Sequence, residues 1–358
     1  MLFLKMSFFY LLTNSFELWP DAYKCPENIE KSGARRPIFG VYLMVSGMLF
    51  LILYIPCFIT ICQAKSFTPA YQLMFIIGIS DMASLIHSSL IPGYLDFYGI
   101  TFCEYPLFFF LNGSFCNIAW MTDCFACILL AIERCVEVNP KFCLYFLLEP
   151  KVFRVVRSVL IVYAVYSLVF TIPMIFNTEF SCYLFDPMIG KDPSSYRNYS
   201  HAANNLLVAV STTTLNFYLC YYLIFKYGYS TSMWLYKSKR QIILQGVILC
   251  FFHAAAGLIY EYMQSFPTPQ WLIIVGHIVW QMSCGCLSIV YLTLNRTVRN
   301  SVLKMLIPKR IRKKLGLHIG VEEHLAAENG EGVGSGGERI AVLNAGGAVI
   351  KFDNYFQN

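Results

Sequence analysis

Charge is the scarcest ingredient of this chain. Only 13% of its 358 residues are Asp, Glu, Lys or Arg, where a soluble domain carries about 25%. So little charge cannot cover a surface in water, and with 57% hydrophobic residues the solvent that suits the chain is lipid. Catalytic signatures are missing as well. There is no GxSxG, no HExxH and no nucleophile–base pattern, so no enzymatic activity is expected. The 14 cysteines lack the doubled CxxC or Cys/His spacing of a zinc site, and His87, His253 and His277 are not spaced as a metal set. No metal or cofactor is implied. Nor is there an internal inverted repeat of the kind common in transporters.

What the chain does have is long apolar runs. About 20 apolar residues at 1.5 Å rise cross a bilayer core, and seven stretches satisfy this: roughly 37–62, 71–97, 104–135, 152–176, 204–227, 241–264 and 271–294. The expected fold class is an all-α membrane protein, a seven-transmembrane helix bundle over 37–294. A kink is expected at Ile91-Pro92-Gly93, and Pro173 lies near the end of the fourth run. Residues 1–36 read as an uncleaved extracellular segment, because MLFLKMSFFYLL is a weak signal core with no cleavage pattern after it. Residues 295–316 read as a short amphipathic basic helix, with Val298, Val302, Met305 and Leu306 on one face. Residues 317–358, rich in Gly and Glu, read as a disordered cytoplasmic tail.

Orientation comes from the short loops. Arg134, Lys141, Lys151, Arg154 and Arg157 follow the third run; Lys226, Lys237, Lys239 and Arg240 follow the fifth; Arg296, Arg299, Lys304, Lys309, Arg310, Arg312, Lys313 and Lys314 follow the seventh. The opposite loops hold only Lys191 and Arg197. The amino terminus is therefore expected outside, against the mild opposition of five basic residues in the first 36. The net charge of +6, placed in these loops, suits a membrane surface and not nucleic acid.

Polar residues inside the runs carry the functional expectations. Asp81 and Asp123 each lie about 15 Å from the cytoplasmic face, counting 1.5 Å per residue, so two carboxylates at one depth could share a proton or a cation. Separate hydrogen bonding of each is the plainer alternative. Glu133 and Arg134 close the third run, where the guanidinium can pair with its neighbouring carboxylate or a partner helix in one state and with a partner protein in another, or simply snorkel. A ligand pocket would draw on the outer halves of the helices: Phe109, Asn112, Phe115, Asn117, Asn205, Tyr260, Glu261 and His277. Most cysteines sit within apolar runs as packing residues. Only Cys25, Cys103 and Cys182 are expected to meet an oxidising compartment. A Cys103–Cys182 disulfide would tie down the loop between the fourth and fifth runs, with Cys25 as a competitor. Asn198-Tyr199-Ser200 in that loop matches a glycosylation sequon.

Several motifs in order resemble one family: YQLMFIIGISD at 71–81, Phe102-Cys103-x-x-Pro106, Trp120, Arg134-Cys135, Phe170-Thr171-x-Pro173, and IVYLTLNRTVR at 289–299. Together they resemble a nematode serpentine chemoreceptor of class T, a seven-helix G-protein-coupled receptor, over about residues 20–315. The resemblance implies a multi-pass plasma-membrane receptor, placed in sensory neurons and their cilia. Its partners would be a small-molecule ligand, a heterotrimeric G protein and the lipid bilayer. It also implies a switch role for Tyr291 beside Arg134. Leu287 and Ser288 stand where the wider rhodopsin-like pattern has Asn-Pro, and the sixth run has no Trp-x-Pro, so the other switches of that pattern do not transfer. An inverted-topology ligand-gated channel and a small proton-coupled transporter are the competing readings.

Overall fold

Proline opens the membrane helices. Helices α4 (Pro37–Cys62), α5 (Pro69–Leu85), α7 (Pro106–Val138) and α8 (Pro150–Val169) each begin on one. In a first helical turn the missing N–H costs nothing and the fixed φ is already helical. The computed structural model describes residues 2–27, 33–64, 68–222, 224–225 and 233–314. The expected tail and Lys226 lie outside them. Helices α9 (Tyr199–Tyr222), α10 (Met233–Ser265) and α11 (Gln270–Leu294) complete a seven-helix bundle. Six of the seven are long and apolar enough to span a membrane. The other, α9, has 24 residues and so about 36 Å of length. Its His, Asn, Ser and Thr residues lower its hydropathy, and it packs between α7 and α10. Central to the bundle is α7: 83% of its most apolar stretch is buried, against 17% in α8.

The second span bends as the proline requires, one turn earlier than the sequence places it. Helix α5 passes through a π-turn, Ile86–Leu90, into α6 (Ile91–Tyr98). Pro92 has no N–H, so the carbonyl four residues back, that of Ser88, lacks its helical partner. His277 of α11 supplies the replacement, with Nε2 2.7 Å from Ser88 O.

The fourth span differs from its expected 152–176. Helix α8 stops at Val169, and the chain turns past Pro173 into β1 (Ile175–Asn177), paired antiparallel with β2 (Cys182–Leu184), Phe176 opposite Tyr183. This hairpin enters the bundle: Ile175, Phe176, Cys182 and Tyr183 are all buried. Gly113 of α7 lets it in, since a Cβ there would lie 1.5 Å from the Met174 carbonyl oxygen. The fifth helix correspondingly starts at Tyr199, before its expected 204.

The depth of the hairpin overturns the expected Cys103–Cys182 bridge. Cys182 is a buried free thiol, its Sγ 3.6 Å from Tyr260 Oη, and burial pushes its pKa up to about 12, which leaves it protonated and unreactive. The disulfide joins Cys25 to Cys103 instead. Short helices α1 (Leu2–Lys5), α2 (Phe8–Thr13) and α3 (Pro20–Tyr23) lead up to it. Tyr23 packs among Phe102, Phe110 and Tyr196, its hydroxyl donates to Met6 O, and Tyr196 donates to Ala22 O. Those contacts seat the amino-terminal segment on the bundle and deliver Cys25 to Cys103.

After α11, Asn295 caps α12 (Arg296–Leu306) by accepting from Val298 N, and α13 (Lys309–Lys314) follows. Val298 and Val302 are buried, while Met305 and Leu306 stay exposed, so the amphipathic face is shared between bundle and surroundings.

Peptide mapping without reduction should recover Cys25 linked to Cys103, and Cys182→Ser should leave that link intact. Cys25→Ser should cost about 2–4 kcal/mol, as expected for opening a long covalent loop, read as a lower thermal midpoint.

Candidate functional site: a buried polar core between hairpin and Arg134

Five helices meet at a fully buried pair of acids. Tyr54 of α4 donates its hydroxyl to Asp81 Oδ2 at 2.6 Å. Across from it, Asp123 Oδ2 of α7 lies 2.8 Å from His253 Nε2 of α10. Asp81, Asp123 and Cys284 of α11 bring their ligand atoms within 4.8 Å of one another. The side chains of the two carboxylates, expected at one depth, face each other here. No donor among the described residues reaches the Oδ1 atom of either acid.

Proton counting follows from the hydrogen bonds. His253 Nδ1 lies 2.9 Å from Leu249 O, a carbonyl that can only accept, so Nδ1 carries a proton. The contact between Nε2 and Asp123 then needs a second proton, held by one or the other. Two carboxylates this close, away from water, cannot both stay charged unless a proton or cation intervenes. Chemically the cluster can hold a shared proton or accept a small cation.

Above this pair, rings fill the bundle. Trp120 stacks on His253 with centroids 5.7 Å apart and 3° between planes. Trp280 meets Trp120, Tyr183, Tyr260 and His277 edge to face. Tyr183, carried in by the hairpin, donates to the His87 carbonyl at 2.5 Å and accepts from Asn112 Nδ2 at 2.7 Å. Buried Trp and Tyr need polar partners, and Trp120 Nε1 finds Asn205 Oδ1 at 2.8 Å. Among the expected pocket residues, Asn112, Asn205, Tyr260 and His277 therefore converge on one centre. The others do not. Phe109 packs against Phe102 and Phe108, and Asn117 ties α7 to Ser167 O of α8 and to Thr171 Oγ1 just beyond it. Phe115 is exposed and stacks on His87. Glu261 of α10 buries its Oε2 without a hydrogen-bond partner among the described residues.

Below the acids, Arg134 Nη1 lies 2.8 Å from Glu137 Oε2 and 3.4 Å from Glu133 Oε2. The sequence expectation named Glu133; the shorter contact is to Glu137, one helical turn on. Helix α10 passes the guanidinium stem at Gly246, where a Cβ would stand 3.9 Å from Arg134 Cγ. Tyr291 is buried, its ring 6.2 Å from Tyr54.

A family model described as the serpentine-type seven-transmembrane GPCR chemoreceptor Srt matches residues 6–315. The chain belongs to the Srt chemoreceptor family. Serpentine receptor class T-55 of Caenorhabditis elegans is 26% identical over 280 residues, 77% of each chain. In fold the Srt chain is similar to squid rhodopsin, with a TM-score of 0.53 at 10% identity, covering 87% of this chain and 99% of that one.

Sequence reasoning missed Tyr183, Trp280, His253, Tyr54 and Glu137. Two left a signal: His253 is an ionisable residue inside an apolar run, and Tyr183 adjoins a cysteine singled out for its loop. The Asn198 glycosylation expectation is corrected by the structure. The side chain is 3% exposed; its Nδ2, the atom a glycan would occupy, donates to Ile172 O at 2.9 Å, and its Oδ1 caps α9 by accepting from His201 N at 3.0 Å.

Endoglycosidase treatment should therefore leave the mobility of the full-length protein unchanged at Asn198. In the polar core, His253→Ala should cost about 1–3 kcal/mol because it strands a buried carboxylate. Adding Asp123→Ala should cost less than the sum of the two single changes; strict additivity in thermal unfolding would contradict the coupling.

Proposed function

We propose that this Srt-family chain is a chemosensory G-protein-coupled receptor of the plasma membrane, detecting a small chemical and activating a heterotrimeric G protein. The observation that carries this reading is one unbroken line of buried contacts. It runs from Tyr183 on the outer hairpin through Trp280 and Trp120 to His253 and Asp123, and α10, which carries His253, also borders Arg134. A ligand that shifts the ring cluster changes the seat of α10, and movement of α10 away from Arg134 opens the cytoplasmic end to a partner. A ligand can do this only by the difference in its affinity for the two arrangements, so each contact in the line is a place where that difference is set.

The Asp81–Asp123 pair favours a second reading, proton-coupled transport, because it gives a membrane-embedded proton site. Proton flux in liposomes separates the two.

With the purified protein and a heterotrimeric G protein in nanodiscs, Arg134→Ala should lower agonist-driven or basal nucleotide exchange by at least about tenfold, the loss of one charge-assisted contact. Full exchange by the variant would remove Arg134 from the switch, and proton uptake without exchange would favour the transporter.

A further inference from the structure

Among the described residues, the hairpin occupies the outer side of the ring cluster. Tyr183 stands in the centre, and Arg36 locks the hairpin by donating to Glu179 O and Ser181 Oγ at 2.7 Å each. The amino-terminal segment is fastened beside it by the Cys25–Cys103 disulfide. An opening exists elsewhere, on the side that faces lipid. Between the outer ends of α4 and α11 lies a cavity of about 640 Å³ bordered by Arg35, Arg36, Phe39, Tyr42, Ile274 and Ile278.

Its lining has the polarity of an amphiphile. The walls are aromatic and aliphatic, and the cations sit together at the outer rim, at the level where α4 enters the membrane. Arg36 is committed to the hairpin. Arg35 is exposed and has no hydrogen-bond or ion-pair partner among the described residues, so its charge is available for an anion. At about 30 Å³ per water-sized group, the volume holds on the order of 20 heavy atoms. That is the size of one chain with its head.

The groove also touches the signalling line. Phe39 forms its inner wall and stacks on Tyr42. On its other side the Phe39 ring meets the His277 ring edge to face at 6.4 Å, and His277 stacks on Tyr183 at 6.3 Å. An occupant of the groove is thus separated from the central rings by one phenyl group.

We propose that this groove binds a single-chain amphiphile with an anionic head, which reaches the protein from the outer leaflet and presses on the ring cluster through Phe39. This names a ligand class and rests on the chemoreceptor reading above, but its binding is measurable without any G protein.

The test uses the full-length protein in neutral phosphatidylcholine nanodiscs and a photoreactive sixteen-carbon fatty acid as probe. Labelling should saturate on peptides containing Tyr42 and Ile274–Ile278. Excess oleate should abolish it, with oleyl alcohol weaker by about tenfold, the worth of one charge-assisted contact. Arg35→Gln, a change at an exposed side chain, should erase the difference between the two competitors. Ile278→Trp should fill the groove and remove the label there while sparing incidental labelling elsewhere; should that variant not fold, the Arg35→Gln comparison alone decides. Labelling that rises without saturation over exposed faces such as Val155 to Val162 of α8, or equal competition by oleate and oleyl alcohol, would overturn the proposal. Saturable, oleate-sensitive labelling without oleate-dependent nucleotide exchange supports the groove and counts against the G-protein reading alone.

Discussion

Two carboxylates that face each other far from water set the conditions for everything around them. In lipid neither can lean on solvent, so each must be supplied with donors by the protein. Asp81 receives Tyr54 from α4, and Asp123 receives His253 from α10. Because the donors come from different helices, satisfying the acids also fixes how α4, α5, α7 and α10 lie against one another. Packing alone would do this weakly. Lipid chains are as apolar as leucine, so helices in a bilayer gain little from burying apolar faces, and polar contacts and close packing decide their arrangement. The polar core is both the chemistry of the site and a fastening of the bundle.

The same reasoning explains the π-turn in the second span. A proline inside a membrane helix releases a carbonyl that water cannot reach, and the protein must provide a donor. Ser88 O receives His277, and the neighbouring His87 O receives Tyr183. One donor comes from α11 and the other from the outer hairpin. The irregular turn is therefore the point at which the hairpin, the second span and the seventh span are hydrogen-bonded together. The aromatic residues then close on that point, since Tyr183 and His277 both lie against Trp280.

Much of this was legible in the sequence, and the reasons differ by feature. The seven spans followed from apolar run length, including α9, which the Asn and Thr residues at 204–205 and 212–214 make the least apolar. The shared depth of Asp81 and Asp123 followed from counting rise per residue, although helix rotation, which brings them face to face, did not. Arg134 was visible as a charge closing an apolar run. The outer hairpin was not legible. A periodicity argument sees Ile175–Asn177 as the continuation of an apolar helix, and nothing local says that Gly113, over 60 positions earlier, leaves room for the chain to enter there. That one misplacement carried the others with it. With the loop drawn outside, Cys182 seemed free to meet Cys103, and Asn198 seemed open to glycosylation. With the hairpin inside, both are buried.

That burial also recasts the role of the loop. A segment expected to be a loop tied down outside the bundle is instead part of the interior, contributing Tyr183 to the centre of the rings. Among the described residues, Tyr183 occupies the centre of the rings on the water side. On the proposed receptor reading, a ligand must displace Tyr183, or act on it from beside it. Displacement has to break two hydrogen bonds, to His87 O and Asn112, and leave the His87 carbonyl without that donor. Pressing on His277 through Phe39 breaks neither, and shifts the same rings. On those terms the sideways approach is the one the interior opposes least.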